Sequence, residues 1–276
     1  MPNEVLCLAG ESGSGKSMTA MAIMGLLPKP AARITRGQIL LGEQDLAHMS
    51  ENDFRQVRAT RVAMIFQEPM TSLNPVMTIG EQITEILTTH SKMSASKASS
   101  AALTLLEEVR LTEPERRMRQ YPHELSGGMR QRVVIAMALA DQPDVLIADE
   151  PTTALDVTVQ AQVLDLLREL REEEGLSYLF ISHDMAVVEQ VSDRVVVLFA
   201  GQVVESGPVS TVLHNPAHPY TQRLLSAVPI PDPTQRRKPL LTAAEEPASV
   251  MFPMGTGPTK QLLREHAPGH LVADGY

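Results

Sequence analysis

Eight residues near the start of the chain, Gly10-Glu11-Ser12-Gly13-Ser14-Gly15-Lys16-Ser17, constrain its fold more than any other stretch. Before them runs Val5-Leu6-Cys7-Leu8-Ala9, a continuous apolar segment that reads as a strand buried on both faces. After them comes a helical pattern with Met18, Met21, Ala22 and Leu26 as apolar positions, closed by Pro28 and Pro30. A strand that turns through glycines into a helix aims unpaired backbone N–H groups at one point, and such a point binds anions. The glycines let the backbone face phosphate, Lys16 is placed to reach the β and γ phosphates, and the Ser17 hydroxyl is placed to ligate Mg²⁺. The alternative, an ordinary glycine turn, does not require the strand before and the helix after. The pattern implies a nucleoside-triphosphate hydrolase.

Further strand signals lie at Ile39-Leu40-Leu41-Gly42, Val62–Phe66, Val145–Asp149, Tyr178–Ser182 and Val195–Phe199. A helix starts at Asp156 as N-cap, buries Val159, Val163, Leu166, Leu167 and Leu170, and stops at Gly175. Strands alternating with helices imply an α/β fold with right-handed crossovers and a mostly parallel sheet. From Thr78 to about Leu125 the pattern is helical, with Ile79, Ile83, Ile86 and Leu87 on one face, and reads as an insert. From about Asn215 prolines become frequent and periodicity fades, so 215–276 reads as a tail, partly ordered at best.

A net charge of −9 argues against non-specific nucleic-acid binding as the main role. The single cysteine, Cys7, excludes an internal disulfide framework and fits a reducing compartment; inside a strand it reads as a buried, inert thiol. The longest apolar runs are far short of the roughly 20 residues that span a bilayer. The first residues lack the basic region and long apolar stretch of a secretory signal, which points to the cytoplasm.

Two further groups carry chemistry. Asp149 ends a strand of the parallel sheet, where a carboxylate would hold Mg²⁺, and Glu150, one residue later, is placed to orient and deprotonate a water. An acidic pair after a strand is also a common loop start. Leu125-Ser126-Gly127-Gly128-Met129-Arg130-Gln131-Arg132 opens an amphipathic helix whose amino end is an anion site, although Ser-Gly-Gly before a helix is commonly a cap and turn.

These three motifs, in this order, resemble the ATP-binding-cassette (ABC) transporter ATPases over roughly residues 1–230. The resemblance implies a P-loop NTPase whose RecA-like core is 1–69 and 126–214, with a helical subdomain at 70–125 and a C-terminal tail at 215–276. Residues 10–17 match the Walker A loop, Asp149 and Glu150 the Walker B aspartate and catalytic glutamate, and Ser126, Gly127, Gly128 and Gln131 the family signature. Gln67 matches the Q-loop glutamine that touches Mg²⁺ and the attacking water, His183 the switch histidine at the γ-phosphate, and Asp156 the D-loop that crosses to a second subunit. ATP and Mg²⁺ are the implied cofactors. The implied assembly is a head-to-tail pair of cassettes, identical or paralogous, working with two permease subunits and, indirectly, a solute-binding protein. Phe66–Pro75 and His218-Pro219-Tyr220-Thr221 resemble the importer branch for dipeptides, oligopeptides, glutathione and nickel, at the cytoplasmic face of the inner membrane. Some members of that branch carry a cysteine-ligated iron–sulfur cluster in the tail; with Cys7 alone, none is expected here. A non-transport ABC ATPase and a non-hydrolysing remnant are the alternative readings.

Relatives have an antiparallel segment before the phosphate-loop strand, with an aromatic that stacks on adenine; the nine residues before Gly10 contain no Phe, Tyr or Trp. The native protein is therefore expected to begin further upstream, which the mass of the mature protein from its own cells tests. Without that segment, weak ATP binding and an exposed sheet edge are expected. His214/His218 and His266/His270 have metal-site spacing, but Pro216 and Pro268 break the helical register, so both pairs read as structural or solvated. Arg236-Arg237-Lys238 reads as a solvated charge run, and Met18, Met21 and Met24 read as core packing.

Overall fold

The structure, a computed structural model, describes residues 3–227 and 261–274. The first elements are β1 (Val5–Ala9), α1 (Lys16–Ile23), β2 (Leu40–Leu41), β3 (Gln44–Asp45), α2 (Glu51–Thr60), β4 (Val62–Ile65) and α3 (Pro69–Ser72). Then come α4 (Ile79–Thr89), α5 (Ala95–Glu108), α6 (Pro114–Arg117), α7 (Gly127–Leu139), β5 (Val145–Asp149) and α8 (Val157–Glu174). The chain continues through β6 (Ser177–Ser182), α9 (Met185–Val191), β7 (Arg194–Phe199), β8 (Gln202–Pro208), α10 (Val209–His214), α11 (Pro219–Ser226), β9 (Leu263–Ala267) and β10 (His270–Ala273). The run Arg236-Arg237-Lys238 lies outside the described residues.

The chain divides into two compact units, Met1–Asn3 with Ala20–Leu179, and Glu4–Thr19 with Phe180–Tyr276. In the first, β4 and β5 pair in parallel with Ile65 opposite Ala148. Both strands therefore end at the same edge, and the residues that follow them, Gln67 and Glu150, emerge side by side. The helical stretch is not one helix. Thr78 caps α4 through a reciprocal capping box with Glu81, and α4, α5 and α7 pack around Ile79, Ile83, Leu87, Ala102, Leu106 and Ile135, all at most 1 % exposed. The helix expected after Asp156 is α8. The Asp156 carboxylate accepts from the Val159 N–H, and Gly175 ends the helix in the left-handed region at φ 67°.

Glycine at 128 is fixed by packing between α7 and α8. A Cβ there would lie 2.5 Å from Val159 Cγ1, and a β-branched side chain on a helix has little rotamer freedom with which to retreat. Gly128→Ala would gain about 1 kcal/mol of helix propensity. The overlap outweighs this gain, because overpacking typically costs about 1–3 kcal/mol. The variant is expected to unfold at lower denaturant than the wild type, and adding Val159→Ala is expected to recover much of the difference.

In the second unit, β1 pairs in parallel with β7, and β8, β10 and β9 follow in antiparallel order. The parallel pairings are those the alternating pattern implies. The antiparallel additions are not apparent from the sequence. Gln202–Pro208 carries Glu205, Ser206 and Gly207 where a buried strand ordinarily shows apolar residues, and β9 and β10 fall inside the stretch read as a partly ordered tail. What holds them is polar. Glu205, with no exposed surface, accepts from His270 Nε2 at 2.7 Å, from the Ala217 N–H at 2.8 Å and from the His218 N–H at 3.1 Å. A buried carboxylate is tolerable when paired and hydrogen-bonded in this way. His270 and His218 are thus structural histidines, as the proline-broken spacing implies.

Two apolar readings change. Met24 is buried, but Met18 is 43 % exposed, so the helical spacing of the methionines does not mark one core face. Ile39–Gly42 supplies only a two-residue ladder, β2 with β3, and Leu40 stands exposed. Cys7 is fully buried as expected. Burial, only partly offset by a hydrogen bond with Ser192, pushes its thiol up to about 12, so it stays protonated and unreactive at physiological pH.

Candidate functional site

Residues 10–17 form a loop held by its own carbonyls. Lys16 is 5 % exposed, and its Nζ donates to the carbonyl oxygens of Gly10 at 2.8 Å and Glu11 at 2.9 Å. Burying an ammonium is costly unless oxygens surround it, and the loop supplies them. Gly10 adopts φ 145°, and a Cβ there would stand 2.3 Å from the Leu198 carbonyl oxygen of β7, so only glycine lets the loop start this close to the sheet. Gly13 and Gly15 also have positive φ, 80° and 103°, the alternation that turns successive N–H groups inward. The Gly201 N–H, in the turn between β7 and β8, donates to the Ser14 carbonyl at 3.1 Å and supports the loop from below. Ser12 is exposed, the Ser14 side chain is buried, and Ser17 is half-buried in the first turn of α1. His183, in the same unit, is exposed just past the end of β6.

The other unit carries the acidic pair. Asp149 closes β5 and is 4 % exposed, while Glu150 turns out of the strand with φ 47°. A non-glycine residue in the left-handed region costs about 1–2 kcal/mol, and such positions persist where surrounding structure enforces them. Here the turn is held by the Thr153 N–H on the Glu150 carbonyl. The Glu150 carboxylate oxygen Oε2 accepts from Thr153 Oγ1 at 2.9 Å and from Gln67 Nε2 at 3.1 Å. Two residues 83 positions apart in sequence, singled out separately, are thereby brought into direct contact. Ser126 caps α7, its hydroxyl accepting from the Met129 N–H at 3.4 Å. The cap-and-turn reading is therefore correct locally, and a capped helix start is still an anion-binding geometry. Gln131 is 1 % exposed, and among the described residues its Nε2 has no hydrogen-bond partner. Asp156 is exposed, its carboxylate occupied as the N-cap of α8.

Sequence reasoning missed Thr153, which orients Glu150, and Tyr220, whose hydroxyl accepts from the Glu11 N–H at 3.0 Å. The His218-Pro219-Tyr220-Thr221 motif drew notice only as a family marker. Its place against the phosphate loop depends on tertiary packing that no local pattern encodes.

In the first unit, the buried Asp149 carboxylate is the kind of oxygen donor a hard divalent cation takes. Mg²⁺ prefers oxygen ligands and, bound with nucleotide, takes one or two protein carboxylates beside phosphate oxygens and water. Among the described residues no group of three or more His, Cys, Asp or Glu offers a metal site of another kind. No helix of the described residues is long and apolar enough to cross a membrane.

Comparison with known proteins agrees with this geometry. Residues 1–153 match the ABC transporter family, and residues 204–253 match the oligopeptide/dipeptide transporter C-terminal region. The oligopeptide transport ATP-binding protein OppD of Bacillus subtilis is 54% identical over 226 residues, 82% of this chain and 63% of OppD. The peptidoglycan transport ATP-binding protein YejF of Agrobacterium fabrum is 50% identical over 265 residues, 95% of this chain and 48% of YejF. The glutathione import ATP-binding protein GsiA of Salmonella choleraesuis is 50% identical over 255 residues, 89% of this chain and 41% of GsiA. The chain thus spans between two fifths and two thirds of the length of these relatives. Among solved structures, the ATP-binding cassette MJ0796, in a dimeric post-hydrolysis state bound to ADP and Pi, superposes with a TM-score of 0.67 at 29% identity, covering 76% of this chain and 87% of that one. The glycine loop, the acidic pair joined to Gln67 and these matches lead to one conclusion: the chain belongs to the ABC transporter family.

Proposed function

We propose that this chain is the ATP-hydrolysing subunit of an importer that takes up dipeptides, oligopeptides or glutathione across the cytoplasmic membrane. The observation that carries the reading is the Glu150 carboxylate held by Gln67 and Thr153 just past the buried Asp149, in a chain whose other unit holds a complete phosphate loop. In this reading the N–H groups of residues 10–17 and the Lys16 ammonium hold the ATP phosphates. Ser17, Asp149 and Gln67 would hold Mg²⁺, which would neutralise charge on the phosphates. Glu150 orients a water and accepts its proton as the oxygen attacks the γ-phosphorus. The bond to the β-phosphate oxygen breaks, ADP leaves, and His183 contacts the γ-phosphate oxygens. Ser126, Gly127, Gly128 and Gln131 form a capped helix start that serves the ATP of a second cassette, and Asp156 lies at the crossing to that partner.

The partners follow from the same reading. Within the first unit, Met64, Phe66, Thr71, Ser72, Val134, Met137 and Ala138 line an open cavity of about 500 Å³, with Phe66 38 % exposed. Methionine-rich apolar grooves adapt to amphipathic helices, and a short cytoplasmic helix of a permease suits this one. Two permeases and two cassettes, identical or paralogous, at the cytoplasmic face of the membrane and fed by a solute-binding protein, complete the assembly. Cells of the source organism whose only copy carries Glu150→Gln are expected to lose uptake of radiolabelled tripeptide. Undiminished uptake of tripeptides and glutathione, with ATP turnover lost in the purified variant, would refute the transport role.

A further inference from the structure

The region matched by the oligopeptide/dipeptide C-terminal family begins at residue 204, and its described part reaches back to the phosphate loop. Tyr220, in the first turn of α11, is 6 % exposed. Its hydroxyl accepts from the Glu11 N–H at 3.0 Å, its ring packs on Phe199 at 4.4 Å between centroids, and the Arg223 guanidinium lies 5.4 Å from the ring centre. Arg223 also faces the Glu11 carboxylate at 3.6 Å. That exposed pair is worth little. The buried hydroxyl is the contact that matters.

The Glu11 N–H and the Gly10 carbonyl belong to one planar trans peptide, so they point in opposite directions. One end of that peptide is taken by Tyr220 and the other by Lys16 Nζ, at 2.8 Å. Fixing the N–H therefore fixes the direction of the carbonyl that holds the lysine. Behind Tyr220, α11 is itself tied down. The His218 Nδ1 accepts from the Tyr220 N–H at 3.1 Å, and the N–H groups of Ala217 and His218 donate to the buried Glu205, which His270 of β10 also holds. A continuous run of hydrogen bonds thus leads from the C-terminal strand pair to the lysine of the loop.

We infer that Tyr220 is a positioning residue for the phosphate loop, through which the C-terminal region sets the loop's affinity for nucleotide triphosphate. The inference rests on the proposed ATP binding and assigns the C-terminal region a part in it. Burial keeps the Tyr220 phenol above its ordinary range, so the hydroxyl remains neutral and available throughout physiological pH.

Tyr220→Phe, made in the full chain, keeps the ring against Phe199 and Arg223 and removes only the oxygen. ATP binding measured calorimetrically is expected to weaken about three- to tenfold, the worth of one hydrogen bond. The KM for ATP should rise by the same factor with kcat nearly unchanged, and the melting temperature should fall by no more than a few degrees. The Glu11 amide of the nucleotide-free wild type should be protected from hydrogen exchange, and the variant should lose that protection. A variant that binds ATP as the wild type does overturns the inference and leaves the proposed function standing. A wild-type chain that binds no ATP overturns the proposed function. If the variant fails to fold, the exchange of the wild-type Glu11 amide decides: a rate equal to that of a solvent-exposed loop rules the contact out.

Discussion

Replacing Glu150 by glutamine should cut ATP turnover roughly hundredfold to ten-thousandfold, the usual contribution of a general base. By transition-state arithmetic that is about 3–5 kcal/mol of barrier. ATP affinity should change little, because the proposed base would act on water and not on the phosphates in the ground state. The fold should also survive. Glu150 receives hydrogen bonds from Gln67 Nε2 and Thr153 Oγ1, and the amide oxygen of glutamine accepts both as the carboxylate does. What the substitution removes is the capacity to take a proton. Steady-state phosphate release together with calorimetric ATP binding separates these effects. A variant that turns over at the wild-type rate would show that Glu150 is not the base, and one that no longer binds ATP would assign it to binding instead.

Lys16→Ala should act on the other side of the same cycle. Hydrogen bonds to charged groups contribute about 1.5–3 kcal/mol, so the loss of the ammonium alone predicts ATP binding weaker by about ten- to a hundredfold. A second effect adds to it. Nζ also bridges the carbonyls of Gly10 and Glu11, and without the bridge the loop loses its internal tie. ADP should be affected less than ATP, since in the proposed site the lysine would reach the γ-phosphate as well as the β. Equal losses for ADP and ATP would mean that the loop has collapsed and that the γ contact is absent.

Much of this was legible in the chain itself because the residues concerned act locally. The glycines and lysine of the loop, the Asp156 cap and the Gly175 stop each impose a backbone conformation within a few residues, so sequence spacing reports them directly. The alternation of strands and helices likewise implied a mostly parallel sheet, and β1 with β7 and β4 with β5 do pair in parallel, although which strands would pair was not legible. What could not be read depends on distant parts of the chain. The left-handed turn at Glu150 is visible only in the backbone, and Gly128 looks like part of a helix cap until Val159 is seen 2.5 Å from its missing Cβ. The strands β8, β10 and β9 lack apolar alternation because their junction is secured by a buried carboxylate, Glu205, and a histidine 65 positions away. Met18 fails in the opposite sense: a residue with an apolar side chain at helical spacing stands in solvent. Periodicity finds faces that pack on something, but it does not say whether they do.

The proposed ATP hydrolysis is tested most directly by the release of inorganic phosphate from ATP and Mg²⁺ by the purified full chain, assayed beside its Glu150→Gln form. The wild type is predicted to release phosphate at a rate that saturates with ATP, and the variant to remain near background while still binding ATP. Equal release by the two proteins, or none by a wild type that binds ATP, would contradict it.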